Sequence, residues 1–411
     1  MHTPSPRAST RKLPAASRIK LLVVSEPGVA GVKRHVCDLL RHIDTAAFDV
    51  HFVYSLTRAD QTYRSEIAGF VKRGIACSEI PMRREISPVH DARAFGSLAA
   101  VIRRFQPDII HAHSSKAGFL SRAARVVTRS PAVTIYTPHA MPCYFSTCFR
   151  YLEKLAACWT DWIVAVSPSE AEDIASWNLL PEAQIQTVTL GVDADRFPVP
   201  GPPRENVEWV GACGRICRQK NAALFFQAGE LLLSRYPQLR LKWIGDWTSD
   251  EEAVTVRRLL ARSSYRDRIH ITGWVHDVAQ EMQSLDIFCM LSRYESFGYV
   301  TADAMVMGIP VVGIPRSGTR DLVTDRTTGL LAGGDAVSIA AAVDEMMHHA
   351  SLRQRLAKQA YEFITASHHV EARLNELYDF YHSVVPACRG KDDTRDASAM
   401  ATSNGRHAVS V

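Results

Sequence analysis

The chain has 411 residues, 46% of them hydrophobic and 22% charged, which excludes a disordered or fibrous protein. At ordinary domain sizes this length implies two domains rather than one. The net charge of +5 hides an asymmetry, because residues 1–150 carry 22 Lys/Arg against 10 Asp/Glu while residues 151–411 carry 26 against 33. A basic first part of this kind points to an anionic partner: a membrane surface, a nucleic acid or an acidic ligand.

Residues 1–18 are polar and basic and lack the apolar core of a secretory signal, so they read as a disordered tail. From Ile19 short apolar runs alternate with helical stretches. Strands are expected at 19–25, 50–54, 76–80, 108–113, 132–137, 162–167 and 185–190. After the first strand comes the loop Glu26-Pro-Gly-Val-Ala-Gly31, and then Val32, Val36, Leu39, Leu40 and Ile43 mark one face of a helix. Four prolines in 198–203 can continue neither element type and place a domain boundary near residue 200. Beyond it strands are expected at 209–213, 239–244, 269–272, 286–291, 310–314 and 329–332. Such alternation makes parallel βαβ units, hence two doubly wound α/β domains, at 19–200 and 204–365. A helical pattern extends to about residue 385 and exceeds the needs of one sheet. Its end, 366–387, is expected to cross back onto the first domain, and 388–411 reads as a second disordered tail.

Nine cysteines, an odd number with no Cys-x2-Cys pair and matching partners, argue against a disulfide framework or a cysteine zinc site and fit a reducing cytoplasm. No apolar stretch approaches the ~20 residues that span a bilayer.

Ligands of doubly wound sheets bind beyond the carboxyl ends of the strands. Four strings there carry chemistry. In Ser292-Arg-Tyr-Glu295-Ser296-Phe297-Gly298-Tyr-Val-Thr-Ala-Asp303, a strand gives way to a Gly-containing loop and a helix. Glu295 falls on the loop, Asp303 in the opening turns, and the backbone of Ser296–Gly298 at a helix start where anions are favoured. Paired carboxylates there suit sugar hydroxyls. Gly211-Ala-Cys-Gly214-Arg215-Ile-Cys-Arg-Gln-Lys220-Asn221 supplies two cations suited to phosphate. It matches neither GxGxxG nor GxxxxGK[ST], which counts against a dinucleotide oxidoreductase or a P-loop ATPase. Gly28 and Gly31 follow the first strand, where glycine lets a ligand approach the backbone. His111 and His113 follow or end a strand with no third metal ligand evident, and read as structural; His139, in Tyr136-Thr-Pro-His139, is placed for a polar contact to substrate.

These strings, with Ser317-Gly-Thr-Arg-Asp321 and Thr328-Gly-Leu-Leu331, resemble retaining glycosyltransferases of family 4, which have the GT-B fold of two Rossmann-like domains facing across a cleft. The similarity covers about residues 19–385. Asp108-Ile-Ile-His-Ala-His-Ser-Ser-Lys-Ala-Gly118 and Tyr136-Thr-Pro-His139 also look like the bacterial polysaccharide-building members. The resemblance implies that Arg215 and Lys220 bind the donor diphosphate beside Gly214 and Asn221, and that Glu295 contacts the donor sugar. It places the Ser296–Gly298 backbone on sugar and phosphate, His139 against the transferred sugar, and Gly31 in the loop facing the phosphate. The backbone near Gly273-Trp-Val275 is expected to read the base. The family's paired glutamates stand here as Glu295 and Asp303, one methylene shorter at the second position; the acid of the later loop is Asp321.

Implied with the family are a nucleoside-diphosphate sugar such as a UDP- or GDP-hexose, a saccharide or lipid-linked acceptor, retained anomeric configuration, and no required metal or other cofactor. The basic first domain adds an anionic membrane surface at the inner face of the cytoplasmic membrane, with Arg83, Arg84, Arg103, Arg104, Arg122, Arg125 and Arg129 as candidate contacts. Nucleic acid lacks a recognisable reading motif here. A sugar-nucleotide 2-epimerase and a non-catalytic nucleotide-sugar binder remain as alternatives of the same fold. The sequence leaves the oligomeric state open.

Overall fold

A computed structural model of the chain describes residues 18–141 and 147–385; the tails expected at 1–18 and 388–411, Arg18 apart, lie outside the described residues. The first domain runs β1 (Ile19–Ser25), α1 (Ala30–His42), β2 (Phe48–Tyr54), α2 (Tyr63–Lys72), β3 (Ala76–Glu79), α3 (Pro88–Phe105) and β4 (Ile109–His113). It continues through α4 (Ser115–Thr128), β5 (Val133–Thr137), α5 (Thr147–Ala157), β6 (Trp162–Ala165), α6 (Pro168–Ser176) and β7 (Ile185–Thr187). The second opens with β8 (Trp209–Cys213), α7 (Ala222–Leu233), β9 (Arg240–Ile244), α8 (Glu251–Arg262), β10 (Ile269–Ile271), α9 (Val278–Met282) and β11 (Ile287–Met290). Then follow α10 (Tyr299–Val306), β12 (Val311–Gly313), α11 (Gly318–Leu322), β13 (Leu330–Leu331), α12 (Ala336–His348), α13 (Ala350–Ser367) and α14 (Val370–Val384).

All thirteen expected strands form, in two parallel sheets of order β3-β2-β1-β4-β5-β6-β7 and β10-β9-β8-β11-β12-β13. Helices cover both faces of each sheet, so the strands read as nearly unbroken apolar runs rather than alternating ones. Val23, Val24, Phe52, Ile109, Phe288 and Val312 are wholly buried. In both sheets the strand order reverses once, between β1 and β4 and between β8 and β11. Crevices for ligands open at such reversals. The segments after these four strands therefore matter most: Gly31, expected in the loop, lies instead in the first turn of α1, and the loops carry the residues after His113, Gly214–Asn221 and Glu295–Gly298.

The long C-terminal helical pattern resolves into three helices. The break at His368–His369 has a visible cause, since Val192 N–H donates to His368 O (2.7 Å) and Val370 N–H donates back to Val192 O (3.2 Å). This short pairing with the end of the first domain takes the backbone out of the helix. Beyond it α14 packs on the first domain, with Leu374, Leu377, Tyr381 and Val384 in the core shared by β1, β2 and α1. The Tyr378 hydroxyl donates to Leu39 O at 2.9 Å. A further apolar cluster joins Val166, Leu190 and Val192 of the first domain to Ile244, Phe297, Met305 and Ile364 of the second.

Arg122 is a correction to the surface reading. It was expected on an exposed basic helix face with Arg125 and Arg129, yet it is buried. Its Nη2 meets Glu153 at 3.0 Å, its Nη1 meets Thr160 Oγ1 at 3.1 Å, and its Nε donates to Gly118 O at 2.9 Å. Its guanidinium also lies 4.3 Å over the Tyr136 ring. Helical spacing could not show which side faced solvent, because α5 covers this face of α4, and Arg129 lies past the helix end with a left-handed backbone (φ 53°). Arg83, Arg84, Arg103, Arg104 and Arg129 are exposed, whereas Arg125 is half-buried beside Asp161.

Candidate functional site

Lys220 and Glu295 meet. Lys220 Nζ donates to Glu295 Oε1 at 2.6 Å, bringing the loop after β8 to the loop after β11. Burial works against the Lys220 charge, but the Glu295 carboxylate outweighs it and holds the amine above its usual pKa. Lys220 is thus an ammonium at neutral pH. Arg215 is exposed on the same loop, and Asn221 begins α7 with a left-handed backbone (φ 58°).

Gly214 fixes how this loop lies. Its φ is +139°, and a Cβ there would come within 2.6 Å of Lys220 Cε, so the lysine lies directly over the glycine backbone. Gly245, at the end of β9, has φ +141°, and a Cβ on it would fall 2.1 Å from Gly214 O. The Trp243 indole N–H donates to that same oxygen at 2.7 Å. Gly245→Ala must therefore displace backbone, not a flexible side chain. It is expected to destabilise the second domain by about 3 kcal/mol or more and to move the Gly214 loop, read as a lower denaturation midpoint with weaker nucleotide binding. Gly245 also bridges to Gly273, two residues before the half-buried Val275.

Across the β11 loop, Gly298 adopts φ +96° and starts α10, with Phe297 buried behind it. Gly318 N–H donates to Glu295 O at 2.9 Å, tying the loop to α11. The Ser296 side chain hydrogen-bonds Glu170 of the first domain. Glu170 is buried; burial raises its pKa, and its oxygens accept from Ala140 N–H (3.0 Å) and Val166 N–H (2.9 Å). The segment at His139 and Ala140, with φ of 53° and 95°, is thus held by a carboxylate that also reaches the second domain.

Asp303 stands in the second turn of α10 and faces the first domain. Arg34 Nη1 donates to both its oxygens at 2.8 Å, and the Arg34 guanidinium lies 4.3 Å over the Tyr299 ring. Burial disfavours charge on Arg34, but Asp303 overrides it and keeps the guanidinium protonated. Asp303, expected with Glu295 beside the sugar hydroxyls, is engaged by Arg34 in an interdomain ion pair. Gly31 sits beside it, where a Cβ would lie 3.3 Å from Tyr299 Cδ2. Asp321 accepts from Ser169 N–H at 3.1 Å, a second link between domains, and Arg196 reaches Asp38 at 2.8 Å. Arg34→Gln is expected to loosen closure: the radius of gyration in solution should rise and donor KM should increase several-fold. An unchanged scattering profile would assign closure to the other contacts.

Sequence reasoning missed Arg34, Tyr299, Glu170 and His35. Glu170 left a signal, because Ser167-Pro-Ser-Glu170 has the spacing of a helix capping box. Ser167 Oγ does accept Glu170 N–H at 3.1 Å, but the glutamate reaches elsewhere instead of returning to the cap. His111 is structural as expected, bonded to the Tyr381 hydroxyl (2.5 Å) and Thr137 Oγ1 (2.8 Å). His113 and His139 lie in contact, Nδ1 to Nε2 at 3.2 Å, with His35 of α1 against both. Several buried polar atoms at this level have no partner among the described residues: Ser25 Oγ, Ser114 Oγ, His113 Nε2, Arg34 Nη2 and Thr301 Oγ1. Buried polar groups rarely stay unsatisfied, so this wall suits a polar ligand.

Two parallel-sheet domains joined face to face, with a cation–carboxylate pair between loops at the strand reversals, define a GT-B-type fold. The match to known proteins narrows it. Residues 29–196 match the model "Glycosyltransferase Family 4" and residues 208–349 the model "Glycosyl transferases group 1". The chain belongs to glycosyltransferase family 4, group 1. It is 24% identical over 362 residues to the capsular polysaccharide biosynthesis glycosyltransferase CapM of Staphylococcus aureus, covering 84% of this chain and 92% of that protein. It is 22% identical over 337 residues to an Escherichia coli UDP-Gal:alpha-D-GlcNAc-diphosphoundecaprenol alpha-1,3-galactosyltransferase, covering 77% and 84%. A crystal structure of Anabaena HepE with UDP and glucose superposes with a TM-score of 0.74 at 18% identity, covering 89% of this chain and 100% of that one.

Proposed function

We propose that the protein transfers a sugar, with retained configuration, from a nucleoside-diphosphate sugar to a saccharide or lipid-linked acceptor during bacterial cell-surface polysaccharide synthesis. The observation that carries this reading is the Lys220–Glu295 pair, 2.6 Å apart at the strand reversal of the second sheet. A cation for the leaving diphosphate and a carboxylate for sugar hydroxyls stand side by side. Lys220 and Arg215 neutralise the charge that develops on the diphosphate, so the step needs no metal at that position. The departing phosphate oxygen takes the acceptor proton on the face it leaves. His139, beside Ala140 whose N–H donates to Glu170, faces the transferred sugar. The Ser296–Gly298 backbone binds sugar and phosphate, and Gly214, Asn221 and Val275 shape the nucleotide side. Arg34 closing on Asp303 excludes water from the cleft and limits donor hydrolysis.

The relatives' names support a polysaccharide role, and the E. coli relative's support an acceptor on a diphosphate lipid. Among the described residues no helix is long and apolar enough to cross a membrane. The first domain instead exposes Arg83, Arg84, Ile86 and Val89 in one stretch, which suits a peripheral seat on the anionic inner face of the cytoplasmic membrane. Binding to liposomes should then rise with anionic lipid and fall with salt, and indifference to both would remove the membrane from the proposal.

The deciding experiment incubates the protein with a panel of UDP- and GDP-sugars, with and without a bacterial membrane extract. Nucleoside diphosphate should be released with one donor and only with acceptor present. Equal release without acceptor would mean epimerase or hydrolase chemistry, and neither binding nor release would mean that the protein is not an enzyme of this kind.

A further inference from the structure

Apart from the Lys220–Glu295 pair, the first domain gathers three imidazoles from three elements. His35 on α1, His113 at the end of β4 and His139 after β5 each offer a ring nitrogen, and these atoms all lie within 4.8 Å of one another. His113 Nδ1 and His139 Nε2 are 3.2 Å apart. Two imidazole nitrogens on one tetrahedral zinc ion at about 2.0–2.1 Å are separated by about 3.3 Å. The His35 ring centroid is 5.3 Å from that of His113 and 5.1 Å from that of His139. We propose that His35, His113 and His139 form a three-imidazole site for a borderline divalent cation, Zn2+ foremost.

The surroundings fit that ligand. All three rings are kept neutral by burial, as metal binding requires, with His35 down to about 4. One proton lies in the 3.2 Å contact between His113 Nδ1 and His139 Nε2; tautomerisation of the ring that donates it moves that proton to the same ring's other nitrogen and leaves both facing nitrogens with lone pairs for the metal. The His111 ring lies tilted 4.1 Å from that of His113 but has both nitrogens bonded to Tyr381 and Thr137, so it packs beside His113 and does not ligate. Among the described residues the group includes no carboxylate or thiol, and an all-imidazole set selects zinc, copper or nickel over magnesium and calcium. Three protein ligands leave a fourth position for water or a ligand oxygen. Cation binding stands independently of the transferase reading; only its effect on transfer rests on His139 facing the sugar.

The test uses the full chain, stripped with a chelator and dialysed against Zn2+ alone, with bound metal measured by mass spectrometry. Wild type should retain one equivalent. His35→Gln, His113→Gln and His139→Gln should each bind about 100-fold more weakly or worse, while the exposed His270→Gln should match wild type. Circular dichroism checks that each variant is folded. Co2+ substitution of wild type reads the site without any variant: visible bands of four-coordinate nitrogen ligation, with no thiolate charge transfer. Absence of stoichiometric binding, full affinity in any folded variant of the three, or a thiolate band would overturn the proposal. Transfer assays with added Zn2+ separate the two readings. Stoichiometric binding with undiminished transfer keeps the metal site and removes His139 from the sugar. Failure of metal binding alongside normal donor turnover does the reverse.

Discussion

Lys220→Ala should lower kcat by about 100- to 1,000-fold, the cost of removing one preorganised group that stabilises transition-state charge. The side chain lies over Gly214 and ends 2.6 Å from Glu295, with its pKa held up by that carboxylate, so it delivers a full positive charge at neutral pH. Its loss removes the charge where the diphosphate departs. It also leaves Glu295 inside the cleft without its partner, which costs stability of the second domain. The two effects separate by measurement. Melting temperature reports the orphaned carboxylate, and Glu295→Gln in the Lys220→Ala background should recover part of that loss. Steady-state kcat reports the catalytic charge, which the second change does not restore. A folded Lys220→Ala variant with unchanged kcat would move the diphosphate to another set of residues.

Arg122→Met should have the largest effect on stability, about 3–5 kcal/mol, because it breaks a buried ion pair by removing one partner. Glu153 would be left without its partner in a buried site, and Thr160, Gly118 O and the Tyr136 ring would each lose a contact. Chemical denaturation of the variant against wild type measures the loss. Liposome affinity of whatever remains folded should be unchanged, since Arg122 does not reach the surface. A variant as stable as wild type but weaker on anionic vesicles would restore the surface role that helical spacing had indicated. Gly245→Ala and Arg34→Gln act on smaller features: one on the loop that carries Lys220, the other on domain closure.

How much was legible in the sequence depended on the range of the physics involved. Strands were legible because burial on both faces makes apolar runs that depend on nearest neighbours, and all thirteen appeared within a few residues of their expected places. The strings Gly214–Asn221 and Glu295–Gly298 were legible because glycine with positive φ and a following helix leave local signatures. The partners those strings find were not. Arg34 and Asp303 lie 269 positions apart, and Ser169 and Asp321 lie 152 apart.

The same limit applied to surfaces. Spacing along α4 put Arg122, Arg125 and Arg129 on one face, but which element covers that face depends on how α5 packs. His111 and His113 could be seen as neighbours on one strand, with nothing local to reveal His35 from another helix or the carboxylate that holds the Ala140 backbone next to His139.

The sequence by itself determined two α/β sheets, the family, and the loops that carry the basic and acidic side chains, since periodicity and turn chemistry act over a few residues. Tertiary structure alone decided that Arg34 claims Asp303, that Glu170 holds the Ala140 backbone next to His139, that Arg122 is internal, and that three histidines gather in one place. Each of those outcomes requires groups from separate elements to meet: Arg34 reaches Asp303 across the cleft between the two sheets, whereas the other three are set by how the helices and loops of the first domain pack on its own sheet.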